Sequence, residues 1–222
     1  MLGEAACKAL PKAVFVRVEG HGFCVRYWMS MAGGTKGEAL VFIHGDLLPG
    51  QLGQTGLNRG AALVTAGRVQ RDAHAWSRLY GGPYLAIGRL GAYGSSGSHH
   101  DRKRPIEIKV MMAALDALKA EHAVTRFHLV GQSGGGHTVA ALLQMRQDIG
   151  CAVMTSGAMS HKTAVRDRGV AITARIRENY DPIDHVGAMR DRAGQRIVVM
   201  SDPDDRIVSF RSRIAPTWSI GS

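Results

Sequence analysis

RFHLVGQSGGGHTVAALLQM, residues Arg126–Met145, sets one serine between an apolar run and a helical pattern, with a glycine two residues to either side. RFHLV suits a buried parallel strand, and Val139, Leu142, Leu143 and Met145 give the following segment one apolar helical face. A serine placed in this way has the form of a nucleophile elbow. The turn is too sharp for side chains at the flanking positions, so Gly131 and Gly135 leave room and the hydroxyl of Ser133 is expected to project into a cleft. A glycine-rich turn between a strand and a helix could instead cradle a dinucleotide pyrophosphate. That reading fails on spacing, because Gly131, Gly134, Gly135 and Gly136 do not form GxGxxG, and the next strand, CAVMTSG, lacks the required acidic residue. A GxSxG match is weak by itself; the strand before it and the helix after it give it weight.

Working outward, short apolar runs alternate with helical stretches. VFVRV (14–18) and FCVRYWM (23–29) read as an antiparallel hairpin turned at Gly20–Gly22, since both mix apolar and polar residues. ALVFIH (39–44) is an almost wholly apolar strand that runs into His44-Gly45-Asp46. A helical segment near Val69–Tyr80 precedes strand YLAIGR (84–89), which gives way to a glycine and serine loop, Gly91–Gly97. Pro105 opens a helix through Lys119, with Ile106, Val110, Met111, Ala114, Leu115 and Leu118 on its apolar face. After the elbow come strand CAVMTSG (151–157), an arginine-rich region with a loop at Asn179–Val186, and strand RIVVMS (196–201). Strands alternating with helices, the strands apolar enough to be buried on both faces, predict a three-layer α/β/α sandwich with a mostly parallel sheet. No linker, repeat or low-complexity tract divides the chain, so residues 1–222 are expected to form one domain.

The 222 residues, 45% hydrophobic and 21% charged, suit a globular domain with an ample core. No apolar run approaches the roughly 20 residues of a membrane span. The N-terminal segment MLGEAACKALPKAVFV has lysines among its apolar residues and no unbroken apolar stretch of signal-peptide length, so it reads as mature protein. Cys7, Cys24 and Cys151 are odd in number and widely spaced, which points to no disulfide framework or zinc site, and makes a reducing cytoplasm the default expectation. The formal charge of +10 is spread over arginines interleaved with acidic residues, and no nucleic-acid motif accompanies it. A solvated arginine-rich surface is the preferred account, and nucleic acid is not expected as a partner.

VFIHGD, YLAIGRLGAYGSSG, VGQSGGG and VVMSDPDDRIV together resemble the α/β-hydrolase superfamily over nearly the whole chain. NYDPIDHV and the GSSG loop tilt the likeness toward its prolyl-oligopeptidase and dienelactone-hydrolase side. The resemblance implies a serine hydrolase acting on carboxylic esters or small acyl amides through a Ser133 acyl-enzyme, without metal or organic cofactor. The superfamily's acid usually lies three residues before a valine, which favours Asp205, three before Val208, over Asp202 as the orienting acid. The remaining aspartates of SDPDD read as turn formers.

Acyl transfer has its own requirements. A serine hydroxyl is a weak nucleophile at neutral pH and needs a base, a group that orients the base, and donors for the oxyanion. One donor is the backbone N–H of Gly134, directly after the nucleophile; the other is the N–H of Asp46, or of Leu47 if the register differs by one. His44 reads as a structural loop residue. The base is where the chain departs from the superfamily's order of serine, acid and histidine, since no histidine follows Asp205. His161, His99, His100 and His185 are the candidates by loop position, with His137 on the helix after the serine. The short tail also makes the fold appear C-terminally incomplete. Two expectations follow: a catalytically silent homologue that binds a small ligand or protein partner is the alternative function, and a sheet edge left uncovered would favour a homodimer. Substrate choice is expected to reside in Ala158–Val186, which carries no decisive pocket signature.

Overall fold

The computed structural model describes residues 3–34, 37–47, 64–189, 192–205, 208 and 212. Seven strands form one sheet: β1 (Ala13–Val18), β2 (His21–Ser30), β3 (Glu38–Ile43), β4 (Tyr84–Ile87), β5 (Arg126–Gln132), β6 (Ile149–Thr155) and β7 (Arg196–Met200), in the order β1-β2-β4-β3-β5-β6-β7. β1, β2 and β4 pair antiparallel, and every pair from β4 through β7 is parallel. This is the mostly parallel sheet that the alternation of strands and helices predicts.

The opening hairpin is tighter than the sequence suggests. Val18 pairs with His21, so only Glu19 and Gly20 turn the chain, at φ 51° and 79°. Positive φ at both central residues is the type I′ geometry whose twist matches the flanking strands. Before the hairpin lies a short helix, α1 (Glu4–Lys8), which the sequence reading did not anticipate.

Alternation along the strands divides the core between two faces. Ala39, Val41, Ile43, Leu85, Ile87, Phe127 and Leu129 lie on one side, packed with α3 (Pro105–Glu121) and α4 (Gly134–Met145). Trp28, Tyr84 and Ala86 lie on the other with α2 (Ala66–Tyr80), joined by the half-buried Leu40, Phe42 and Val69. The layers are thus helix, sheet, helix. Helix α2 starts where the Thr65 hydroxyl accepts the Arg68 N–H and ends at Gly81, whose φ of 76° is the left-handed conformation favoured at helix C-termini. Helix α3 opens on Pro105, as expected from the fixed φ of proline. Further on are α5 (His161–Asp167) and α6 (Ala174–Arg177), and the expected loop at Asn179–Val186 is largely a 3-10 helix, Pro182–Ala188.

Two sequence expectations require correction or a boundary. Cys7 of α1 and Cys24 of β2 form a disulfide, leaving Cys151 as the free cysteine. Spacing along the chain hid this pair because the hairpin folds back under α1, so cysteine usage gives no argument for a reducing compartment. At the opposite edge, β7 leaves Val198, Val199 and Met200 exposed; most of the chain after Asp205 lies outside the described residues. Among the described residues no helix is long and apolar enough to cross a membrane.

Candidate active site

β5 runs between β3 and β6 in the middle of the parallel sheet, and the chain reverses at its end directly into α4. The reversal is made at Ser133, whose φ of 51° and ψ of −117° lie outside the regions an L-residue ordinarily occupies. Such a conformation costs on the order of 1–3 kcal/mol and persists only where the surroundings over-determine it. Here they do. Ser133 N–H donates to Thr155 O at 2.7 Å, and Ser133 O accepts from His137 N–H at 3.3 Å. A Cβ on Gly131 would stand 2.4 Å from Gly135 O, and one on Gly135 would stand 2.0 Å from Ile43 O. Both flanking glycines are therefore required by backbone contact, as the spacing predicts.

Across from the elbow lies the loop that leaves β3. A Cβ on Gly45 would be 3.3 Å from Ser133 Cβ, so this loop sits directly against Ser133. The carboxylate of Asp46 folds over the start of α4, where a Cβ on Gly134 would meet its Oδ1 at 1.9 Å. Three cations hold that carboxylate: Arg89 Nη1 at 2.9 Å, Lys103 Nζ at 2.6 Å and Arg102 Nε at 3.3 Å. Burial opposes its ionisation, but Lys103, Arg89 and Arg102 outweigh burial and keep the carboxyl well below the usual range. Arg89 is fully buried and is matched on its other side by Glu107, through a two-pronged contact of 2.9 and 3.0 Å.

The two candidate oxyanion donors of this loop differ in their hydrogen bonding. Leu47 N–H donates to His99 Nε2 at 3.1 Å, so it is already engaged. Asp46 N–H has no acceptor among the described residues, and Gly134 N–H is one of the amides that the first turn of a helix leaves without an internal acceptor. His44 is structural, as read: its Nδ1 contacts Gly45 O at 2.8 Å and its Nε2 accepts from Arg89 N–H at 3.2 Å. Burial, aided by the Arg89 charge, pushes its pKa down to about 3.

The acidic turn follows β7 and lies at the same end of the sheet as the elbow, because β5, β6 and β7 run parallel. Asp202 is exposed and accepts from Asp204 N–H at 2.9 Å, making the turn. Asp205 is half-buried and accepts from Val208 N–H at 3.1 Å. Both aspartates accept local amides, and they differ in that Asp205 is the more enclosed.

The candidate histidines divide sharply. Both ring nitrogens of His99 are engaged, Nδ1–H with Leu90 O at 2.9 Å and Nε2 with Leu47 N–H, so it is part of the scaffold. His100 is exposed, and His185 is exposed and stacks on Tyr180 with centroids 4.4 Å apart. His137 is buried, donating from Nε2 to Tyr180 O at 2.8 Å, and its Nδ1 has no partner. His161, at the start of α5, likewise has a buried Nδ1 without a partner, and burial followed by the Lys103 charge pushes its pKa down to about 3. Among the described residues no histidine hydrogen-bonds to the Ser133 hydroxyl.

Ser133, Gln132 and the loop from His44 to Leu47 line a cavity of about 770 Å³, which Trp28, Phe42, Tyr84 and Tyr93 also line. Among the described residues no group of three or more His, Cys, Asp or Glu could hold a metal ion. Sequence reasoning missed Arg89, Glu107 and Lys103, and took His99 as a candidate base where the structure engages both its ring nitrogens. The available signal was an arginine at the end of an otherwise apolar strand, YLAIGR, and a glutamate two residues into an apolar helix.

No protein-family model and no curated protein sequence matches the chain. Solved structures do. The chain is similar to Est1E from Butyrivibrio proteoclasticus, described with bound ferulic acid, at 18% identity and a TM-score of 0.59, covering 91% of this chain and 84% of that one. It is similar to an esterase from Pyrococcus furiosus at 15% identity and a TM-score of 0.62, covering 96% and 78%. A probable hydrolytic enzyme from Pseudomonas aeruginosa PAO1 gives 18% identity and a TM-score of 0.50, with 71% of this chain spanning 45% of that one. The chain has the α/β-hydrolase fold.

Proposed function

We propose that the protein is a serine hydrolase that cleaves carboxylic esters or small acyl amides. The observation that carries this reading is the strained Ser133, held at the end of the central strand against the His44–Leu47 loop. The esterases of the same fold, one of them with an aromatic acid bound, support it.

In this reading Ser133 Oγ bonds to the substrate carbonyl carbon and gives up its proton, while the carbonyl oxygen becomes an oxyanion. Gly134 N–H and Asp46 N–H donate to that oxygen. Loss of one such donor typically costs about 3–4 kcal/mol of transition-state stabilisation. Collapse of the intermediate breaks the bond to the leaving alcohol or amine, which departs with the proton, and water then releases the acid from Ser133. Asp205 orients the base, and His161 and His137 each keep a buried ring nitrogen without a partner among the described residues. The aromatic wall of the cavity suits an apolar or aryl acyl group.

A base not yet bonded to Ser133 has a kinetic consequence. Triad members act as a unit, and oxyanion donors with binding alone leave roughly a thousandfold over water. Slow turnover of short-chain nitrophenyl esters is expected, together with labelling of Ser133 by a fluorophosphonate. Absence of labelling in both the wild type and Ser133→Ala at high probe concentration would overturn the proposal.

A further inference from the structure

The loop from Gly88 to His99 carries the glycine and serine motif whose purpose the sequence leaves open. It hangs on β2 by four hydrogen bonds: Gly88 N–H to Arg26 O at 2.8 Å, Arg26 N–H to Ser95 Oγ at 3.0 Å, Cys24 N–H to Ser96 Oγ at 2.8 Å and Ser96 N–H to Cys24 O at 2.8 Å. The loop closes on itself through Gly91 N–H and Ser96 O at 3.0 Å. Gly91 has φ 63°, and a Cβ there would stand 2.4 Å from His99 N, so only glycine permits the fold-back that brings His99 round. Cys24 is itself tied to α1 by the disulfide. The result is a stiff platform beside the elbow.

Two residues of this platform grip the loop after β3. Arg89 Nη1 donates to His44 O at 3.3 Å and to Asp46 Oδ1 at 2.9 Å, and Arg89 N–H donates to His44 Nε2 at 3.2 Å. His99 Nε2 accepts Leu47 N–H at 3.1 Å, and the tautomer this requires is set by Nδ1–H donating to Leu90 O. The residues before and after the Asp46 amide are thus fixed, and so is the Asp46 side chain. An oxyanion donor works only if it is held in place before the charge develops, and a misplacement of about 1 Å can cost on the order of a hundredfold.

We infer that Arg89 and His99 are positioning residues that aim the Asp46 N–H at the oxyanion of the Ser133 reaction. This rests on the proposed hydrolase reading; the grip itself can be measured without it. His99→Leu removes the acceptor for Leu47 N–H, and His99→Gln offers a carbonyl oxygen in its place. Amide hydrogen exchange at Asp46 and Leu47 and the rate of fluorophosphonate labelling are followed in wild type and both variants.

His99→Leu is expected to speed exchange at the Leu47 amide and to slow labelling about a hundredfold, and His99→Gln to restore much of both. Arg89→Lys keeps the charge beside Glu107 but loses the fork, and is expected to loosen the same loop and speed exchange at Leu47. Wild-type exchange in His99→Leu, or labelling at the wild-type rate once its loop is released, overturns the inference. Should wild-type Ser133 resist labelling, the hydrolase reading fails and exchange alone decides the grip: fast in His99→Leu and recovered in His99→Gln upholds it, unchanged in His99→Leu removes it.

Discussion

The elbow and the acidic turn sit at the same end of one sheet, but they are held in opposite ways. Ser133 belongs to a central strand, and every residue of α4 from Gly134 to Leu143 is buried. Its unusual backbone angles are enforced by main-chain atoms so close that no Cβ fits at Gly131 or Gly135. Asp205 follows β7, an edge strand, where four of five residues are exposed and the turn is set by local aspartate-to-amide bonds. Strain can be stored only where packing leaves no alternative, which explains why the strained Ser133 stands at the end of an interior strand. A carboxylate that only orients a base, the role proposed for Asp205, needs no such enclosure.

The sharpest way to break the well-held half is to remove Arg89. Arg89→Met leaves Glu107 buried without its partner and releases Asp46, and is expected to destabilise the protein by about 3–5 kcal/mol in denaturant titration. A loss under about 1 kcal/mol would show that the buried pair does not brace the site. Next in size is Gly135→Ala, whose Cβ must displace the Ile43 carbonyl. Overpacking of this kind costs about 1–3 kcal/mol, and here fluorophosphonate labelling should vanish with it because the elbow is forced open. Retained labelling would mean that the turn tolerates a side chain.

Acid should loosen the same half. His44 has a folded pKa of about 3 against an ordinary 6.5, so above pH 6.5 its neutral form costs nothing in either state. Between 6.5 and about 3 the unfolded chain takes up a proton that the folded chain refuses, and stability falls as pH falls, by up to about 1.4 kcal/mol per pH unit for each such histidine. His161 behaves in the same sense. Thermal melts between pH 7 and 4 should show a steady loss, with a shallower slope in His44→Asn; equal slopes would contradict a neutral buried His44. The smallest stability change belongs to the acidic turn. Asp205→Asn should alter stability by no more than about 0.5 kcal/mol while lowering ester turnover more than Asp202→Asn does, and the reverse ranking would reassign the acid.

What could be read in the sequence, and what could not, follows the same division. The elbow was legible because backbone crowding forces glycine at fixed offsets from Ser133, and the strands because burial forces apolar runs. The hairpin was legible too, although its turn fell at Glu19–Gly20, where local twist decides. Tertiary pairings left no such trace. Cys7 meets Cys24, Arg89 meets Glu107 and Leu47 N–H meets His99 only after folding, and spacing along a chain does not encode them. The choice between Asp46 and Leu47 as oxyanion donor was open for this reason, and the bond from Leu47 N–H to His99 is what favours Asp46 in the proposed reaction.

The account stands or falls on the reactivity of one hydroxyl. Intact-mass and peptide analysis after fluorophosphonate treatment tests it most directly: a single adduct on the peptide containing Ser133, absent in Ser133→Ala, is the predicted result. No adduct on the wild type, or an adduct that survives the substitution, would contradict it.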